Sequence, residues 1–526
     1  VNIIEIRVGV LECNIVTPLP TEIRDDLYEQ LAYRVKDYQF MNLYNKKRKV
    51  VDPETGQERL ERVWDGYKRL FRPRRQTFEA GLLSQVLYIL DGWDCEYEII
   101  EERPTYERPE ALELQKLPTL WDHQEQIIAA IFGSKRLRID APPRSGKTLA
   151  NIVFYARCPI QRMLFIVERR ELVLQTGRAF KRYLPDIDVG RIVDGKVRLG
   201  EDVTVSTIQA MARVFGIDYD LLPGESTEQE IRTLEKRKQV YRYVSDARIV
   251  VIDECHHSAA PTYVDLLKRI SSAEFVIGQS GTPFREDNTD LLMEAVLGPI
   301  AVKVSREDLV RKGILVQPKV RFYKLPRMAG LERMHYQTVY ARYITHSPLR
   351  NHLIANCVNE FVRREKSVIV TVSKKPHGRL IKKVLDDMGV RSVLLYGDMK
   401  DKKERDDILK DLKAKRILVV ISTLLDEGVD IPSLDAVIIA AGDKSVNKVL
   451  QRPRCLTAYP GKKFGYIVDF LDDAPYLREH SKKRLGVYER TPAFNRIDIK
   501  DLTDGTDEES DNDIGGRGLR VKLSGV

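Results

Sequence analysis

Between residues 136 and 280 the chain repeats one pattern, a short apolar run followed by a turn and a longer amphipathic stretch. The runs are RLRID (136–140), RMLFIVE (162–168), DVTVST (202–207), RIVVIDE (248–254) and FVIGQS (275–280). These short β-rich runs have longer helical segments between several of them, and that alternation of strand, turn and helix predicts a buried parallel sheet. A second series follows 305: SVIVTVS (367–373), PHGRLIKKVLDDMG (376–389), RSVLLYG (391–397), KDKKERDDILKDLKAKR (400–416), ILVVIST (417–423), DAVIIAAG (435–442) and GYIVDF (465–470). Strands alternating with helices in two successive sets predict an α/β protein with two doubly wound parallel-sheet domains in tandem.

The rest of the chain departs from this pattern. The first hundred residues mix short β-like runs with one or two helices and predict a small α+β accessory domain over 1–101. A charged, proline-punctuated stretch at 102–118 reads as a linker. The two α/β domains are expected at 119–305 and 306–475, with a C-terminal extension at 476–526. Within the first, 225–241 reads as an inserted, solvated charged helix. The acidic run at 501–513 predicts a disordered tail.

A length of 526 residues, 43% hydrophobic and 31% charged, allows several cores and excludes a disordered chain, a collagen-like fibre or a disulfide miniprotein. Six scattered cysteines give no zinc-type pair and suit a reducing cytoplasm, the expected location. No run approaches the roughly 18 apolar residues of a membrane span, and the N-terminus lacks a signal-peptide layout, so no membrane association is expected. The net charge of +9 permits nucleic acid without requiring it, but it is concentrated: residues 46–75 carry +6 and 363–416 carry +8. Two basic stretches on an otherwise acidic chain suggest a two-point grip on a polyanion.

At 141–148 the chain reads APPRSGKT, after a predicted strand and opening a predicted helix. That setting suits a phosphate-binding loop. Arg144, Ser145 and Gly146 would present backbone N–H groups, Lys147 would reach the terminal phosphates of ATP, and Thr148 would offer its hydroxyl to Mg2+. Ala141 replaces the usual first glycine, and an ordinary strand-to-helix turn is the bland alternative. In RIVVIDECHHSA (248–259) four apolar strand residues end in Asp253-Glu254, placing both carboxylates at the C-terminal edge of a parallel sheet, where ligands bind. Asp253 is the expected Mg2+ ligand with Thr148, and Glu254 the group that orients or deprotonates the attacking water. The alternative is an acidic helix start after a strand.

APPRSGKT, DECHH, SGTPFR (280–285) and TLLDEGVDIPSLD (423–435) occur in the order and spacing of superfamily 2 DExH-type helicases and translocases, and the resemblance spans about 120–475. It implies two tandem RecA-like domains that bind ATP in a cleft between them, with nucleic acid across their top. On that resemblance Gln124, in WDHQ (121–124), is the adenine contact. His256 couples nucleotide state to Ser280-Gly281-Thr282, with a buried, satisfied imidazole as the alternative. Gly428 and Asp430 complete the nucleotide site, while Ser206, Thr207 and Thr423 touch strand backbone. Tyr396-Gly397-Asp398 with Glu404-Arg405 also resembles a family element; a strand-end turn with a solvated helix pair explains it equally well. Where the family places QRxGRxxR, this chain reads QRPRCLT (451–457), so neither arginine finger falls in register. Arg454, with Arg452 second, is the expected replacement.

The N-terminal segments LAYRVKDYQF, NKKRKV, RVWDGYKRLF, FEAGLLSQVLYIL and WDCEYEI, and Trp64-Asp65-Gly66 in particular, resemble the N-terminal domain of UvsW-type phage recombination helicases. Lys46, Lys47, Arg48, Lys49, Arg72, Arg74 and Arg75 are the candidate contacts to a duplex or junction backbone, with a solvated charged hairpin as the alternative. The function expected from the whole chain is that of an ATP-dependent helicase or translocase on branched DNA, in recombination and repair. It would use ATP and Mg2+, with a monomer favoured over an oligomer. The rivals are an RNA helicase, an XPB-like or restriction-type DNA translocase (Arg285-Glu286-Asp287 resembles an XPB-family tripeptide), and a degenerate ATPase serving as a DNA-binding scaffold.

Overall fold

The computed structural model describes residues 3–35, 37–51, 58–116, 118–193, 195–215, 228–255, 261–281, 290–396, 402–423, 431–443, 454–494 and 496–501. They form two compact units, 1–304 and 305–526.

The first unit opens on nine strands: β1 (Ile4–Val8), β2 (Glu12–Ile15), β3 (Ala32–Arg34), β4 (Lys47–Val51), β5 (Glu58–Arg62), β6 (Tyr67–Arg69), β7 (Phe71–Arg72), β8 (Thr77–Glu79) and β9 (Tyr97–Glu101). Five make one sheet in the order β7-β8-β2-β1-β9, and β3–β6 and β4–β5 pair as separate antiparallel ribbons. Alternation in β1, with Ile4, Ile6 and Val8 inward, turns one sheet face onto the helices Thr21–Gln30 and Leu83–Gly92. That core is not self-contained. Leu292 and Ala295, from the helix Asp290–Leu297 of the following domain, are buried in it. Gln85 donates to Glu294 at 2.9 Å, and the backbone at Gly81 approaches the Glu294 carbonyl so closely that a Cβ would lie 2.0 Å away. The accessory domain is thereby fused to its neighbour.

The stretch 102–118, expected as a linker, is a strap pinned along this unit. Tyr106 Oη donates to the Ser272 carbonyl at 2.7 Å, and Arg108 meets the wholly buried Glu274 at 2.6 Å. Further along, Leu112 N–H donates to the Ala156 carbonyl and Gln115 N–H to that of Tyr183.

The eight-stranded sheet comprises β10 (Arg136–Asp140), β11 (Met163–Val167), β12 (Val189–Val193), β13 (Lys196–Arg198), β14 (Val203–Thr207), β15 (Ile249–Asp253), β16 (Phe275–Ser280) and β17 (Ile300–Lys303). Its order is β13-β12-β14-β11-β15-β16-β10-β17, parallel except for the β12–β13 hairpin at one edge. Every residue of β11, β14 and β16 is buried, as two covered faces require. The inserted charged helix runs from Glu228 to Ser245 and is not wholly solvated: Val240, Tyr243 and Val244 enter the core beneath the sheet.

The second unit holds β18 (Gln317–Lys324), β19 (Val368–Thr371), β20 (Val393–Leu395), β21 (Val419–Ser422), β22 (Ala436–Ile439), β23 (Phe464–Leu471) and β24 (Ile497–Asp501), in the order β20-β21-β19-β22-β23-β18-β24. All neighbours pair in parallel. The domain therefore does not end at 475. The helix Leu477–Arg490 seats Arg484, fully buried, on Asp469, and β24 completes the sheet beside β18. The acidic tail from 502 lies outside the described residues. The six cysteines are free thiols, and no helix among the described residues is long and apolar enough to cross a membrane.

Candidate nucleotide site and nucleic-acid interface

Strand β10 ends at Asp140, and the chain turns through 141–146 into the helix Lys147–Arg157, whose first residue carries the lysine. Arg144 and Gly146 take positive φ, 77° and 80°. Gly146 is required twice over: left-handed backbone disfavours a side chain, and a Cβ there would fall 2.0 Å from Gln124 Nε2. Lys147 Nζ folds back to donate to the Ala141 carbonyl at 2.6 Å and that of Pro142 at 3.4 Å, so the cation lies within the loop. Ser145 is almost fully buried, and among the described residues its Oγ has no hydrogen-bond partner.

The loop is braced from the preceding helix, Asp122–Ser134. His123 Nε2, as donor, lies 2.8 Å from the Ser145 carbonyl, and Gln124 Nε2 reaches the same oxygen at 3.4 Å while its Oε1 accepts from Trp121 N–H at 2.9 Å. Gln124, expected at the adenine, is thus buried against the phosphate loop in this structure. The one local sequence signal for His123 is its place beside the glutamine of WDHQ.

Strand β15 lies two places from β10, with β16 between them, and ends in Asp253 at the same sheet edge. Gln279, on β16, links the two sides: its Nε2 donates to Asp253 Oδ1 at 3.1 Å, and its Oε1 accepts from Asn151 Nδ2 at 2.7 Å. Asn151 stands one turn beyond Lys147 and also donates to the Lys147 carbonyl at 2.9 Å. Desolvation at this edge, and then the neighbouring Glu254 carboxylate, push the Asp253 carboxyl up to about 6, against the opposing pull of Lys147 and the Gln279 hydrogen bond. Glu254 sits at φ 51° and accepts from Ser280 Oγ at 3.1 Å. The SGT segment is therefore tied to Glu254 itself. His256, expected to make that link, and Thr282 lie outside the described residues, while Gly281 packs on Pro143 so tightly that a Cβ would come within 2.8 Å of its Cδ.

The donor set fits a magnesium nucleotide. Thr148 is partly exposed at the helix start, and Asp253 supplies a hard carboxylate oxygen whose enclosure favours a cation beside it. An orphaned Ser145 hydroxyl and N–H groups at a helix N-terminus suit phosphate oxygens.

The expected strand contacts divide. Ser206 is fully buried and its Oγ donates to backbone carbonyls at 3.1 Å, so its hydroxyl serves the fold; this corrects the expectation of a strand contact from that side chain. Thr207 Oγ1 caps the next helix by accepting from Ala210 N–H. Thr423 follows β21, half-buried. Lys46, Lys47 and Lys49 are exposed on or beside the β4–β5 ribbon, which also carries Arg48, and Arg74 and Arg75 are exposed in the β7–β8 turn. Arg72 is not available in the same way: Glu12 and Glu79 hold its guanidinium at 2.9 and 2.7 Å.

Gly428, Asp430 and Arg452 lie outside the described residues, as do Gly397 and Asp398. Arg454 opens a short 3-10 turn, Arg454–Leu456. Cys455 is fully buried, and its Sγ donates to the Tyr466 carbonyl at 3.3 Å. The position where the family places its first finger is thus a core position here, which explains a small apolar side chain.

Residues 117–285 match the family model of the type III restriction enzyme res subunit, and residues 350–453 match the helicase conserved C-terminal domain. A putative ATP-dependent helicase of Saccharomyces cerevisiae, IRC3, is 25% identical over 416 residues, 73% of this chain and 56% of its own length. The chain spans about half the length of the first curated relatives it matches. Among solved structures, a fragment of a putative HsdR subunit of a type I restriction enzyme from Vibrio vulnificus YJ016 shares the fold at 16% identity, with TM-score 0.52, over 86% of this chain and 78% of that one. T4 UvsW aligns over 95% of this chain and all of its own at 17% identity, with TM-score 0.42. Two RecA-like sheets in tandem, with both domain models falling on them in order, make this chain a member of the superfamily 2 helicases.

Proposed function

We propose that the protein is an ATP-dependent DNA helicase or translocase acting on branched DNA, in fork unwinding or junction migration. The observation that carries this reading is the Lys147–Asn151–Gln279–Asp253 chain, which joins the phosphate loop to the acidic strand end at one sheet edge. Lys147 would exchange its two loop carbonyls for the terminal phosphates of ATP, balancing charge that builds there during transfer. Thr148 and Asp253 would hold Mg2+, which supplies charge neutralisation at the phosphate oxygens when bound. Glu254, fixed by Ser280, would orient the attacking water and accept its proton. Arg454, with Arg452 as the alternative, would stabilise the transferring phosphoryl group.

A branched substrate is favoured over a single continuous strand by the accessory domain, whose exposed Lys46, Lys47, Lys49, Arg74 and Arg75 present a second basic surface on a body fused to the first motor domain. Such a surface would engage a second duplex arm while the motor tracks one strand. A degenerate scaffold is disfavoured by the intact nucleotide residues. The test is ATP turnover with forked DNA, linear duplex, single strands and RNA as separate activators. The proposal requires forked DNA to stimulate most; equal or stronger stimulation by RNA would overturn it.

A further inference from the structure

The segment joining β3 to β4 shows its apolar residues to solvent. It runs through a 3-10 turn, Tyr38–Phe40, into a one-turn helix, Asn42–Asn45. Phe40 is 78% exposed, Leu43 57% and Met41 44%. Single exposed hydrophobics are ordinary on a soluble protein; three within four residues on a small domain are not.

Their outward aim is built in. Tyr38 and Tyr44 are half-buried and meet edge to face at 4.7 Å. Arg34 lies over the Tyr38 ring at 4.3 Å, and Arg62 covers Tyr44 at 3.9 Å. Gly66, at φ 89°, lets the Tyr38 ring pass where a Cβ would stand 2.5 Å from Cδ2. The Trp64-Asp65-Gly66 motif that supplies this glycine is itself fastened, with Tyr67 N–H donating to Asp65 at 3.0 Å and Asp65 paired with Arg69 at 2.7 Å. With both tyrosine rings engaged by each other and by Arg34 and Arg62, Phe40, Met41 and Leu43 are left exposed on the same short segment. The chain then passes directly into the basic ribbon, where Lys46 and Lys47 are exposed and Val63 N–H donates to the Lys46 carbonyl at 2.9 Å.

We infer that Phe40, Met41 and Leu43 form an apolar wedge that packs against the unpaired or fraying bases at a DNA branch point, while the adjoining lysines of the ribbon hold the flanking phosphates. Phe, Met and Leu are side chains that proteins insert between base steps, and a wedge works only where phosphate contacts beside it set its position. The charge beside the tip favours nucleic acid over an apolar protein groove. The inference rests on the DNA-directed function proposed above and assigns the element that would recognise the branch.

The test uses the full chain without ATP, with 2-aminopurine placed in the branch-point pair of a fork or, as control, inside a linear duplex. The wild type should brighten the branch-point probe and leave the internal one dark. Phe40→Ala/Leu43→Ala should abolish the brightening and weaken fork binding by about tenfold or more, the scale set by losing a base–aromatic contact, with duplex binding unchanged. Phe40→Trp should keep the brightening, and circular dichroism with a thermal melt checks that each variant folds. Unchanged brightening in the folded double variant, or equal losses on fork and duplex, would overturn the wedge. So would a wild-type dimer that the double variant converts to monomer, because a second copy would then cover the tip. A wild type that prefers forks no more than duplex would instead count against the branched-DNA reading itself, which separates the two failures.

Discussion

Gln279 donates its amide N–H to Asp253 at 3.1 Å and accepts from Asn151 at 2.7 Å, so one neutral side chain couples the acidic strand end to the helix that carries Lys147. Gln279→Leu keeps the volume and removes both bonds. Stability should fall by about 1–2 kcal/mol, as for a buried hydrogen-bonded group left unmatched. Turnover should fall by roughly tenfold or more as Asp253 loses its fixed orientation. Thermal melts and steady-state ATP hydrolysis measure both, and wild-type values in each would show that Gln279 is a bystander.

Gly146→Ala should abolish nucleotide binding. Positive φ alone costs a side chain about 1–2 kcal/mol, and the collision with Gln124 forces either the glutamine or the loop to move. The double variant Gly146→Ala/Gln124→Ala relieves the collision and leaves the backbone strain, so it should recover binding in part. Titration with a fluorescent ATP analogue reads this, and near wild-type affinity in the single variant would contradict the described loop.

His377 gives the second motor domain a sensitivity to acid. It is buried with Nε2 3.0 Å from Asn351 Oδ1, and burial first, then Arg350 and His346, hold the imidazole down at about 3 from an ordinary 6.5. The unfolded chain binds a proton there more readily than the folded one. This contribution is therefore complete above pH 6.5 and is lost as pH falls from there towards 3, by at most about 1.4 kcal/mol per pH unit. His377→Gln keeps a donor for Asn351 and removes the titration. Its thermal midpoint should fall less than that of the wild type between pH 7 and pH 5, and equal slopes would remove His377 as the cause.

The irregular finger segment sets up a comparison of Arg454→Ala with Arg452→Ala. Arg454 begins a turn that the buried Cys455 anchors, so its backbone is fixed by the core. An arginine finger is worth about three to five powers of ten in rate. Arg454→Ala should lose most of the stimulated turnover, with Arg452→Ala less affected, and wild-type turnover in Arg454→Ala would end the assignment.

The loop at 141–148 and the carboxylates at 253–254 carry a local signal, restricted residue types at a fixed spacing after a strand, and both stand at one edge of the sheet. Asn151 and Gln279 were not legible: an amide inside an apolar helix or strand carries no local signal, and its role arises from β16 lying between β10 and β15. The prolines and charges of 102–118 have the composition of a linker, yet Arg108 and Tyr106 find partners in the buried Glu274 and the Ser272 carbonyl, far along the chain. The same limit applied to β24, five residues whose place in the sheet depends on β18. Ser206 is the opposite case: a polar residue near a strand end offers a local signal for a contact, while neighbouring carbonyls satisfy its hydroxyl inside the fold.

On the proposed function, the Lys147–Asp253–Glu254 site drives strand separation at a DNA branch. Fork unwinding, followed by fluorescence dequenching with ATP and Mg2+, tests it most directly in the wild type, Lys147→Ala and Glu254→Gln. The wild type should unwind forks in an ATP-dependent way and each variant should lose at least about a hundredfold, with fork binding retained. Unwinding at the wild-type rate by either variant would contradict it, as would a wild type that hydrolyses ATP on forks without separating or shifting a strand.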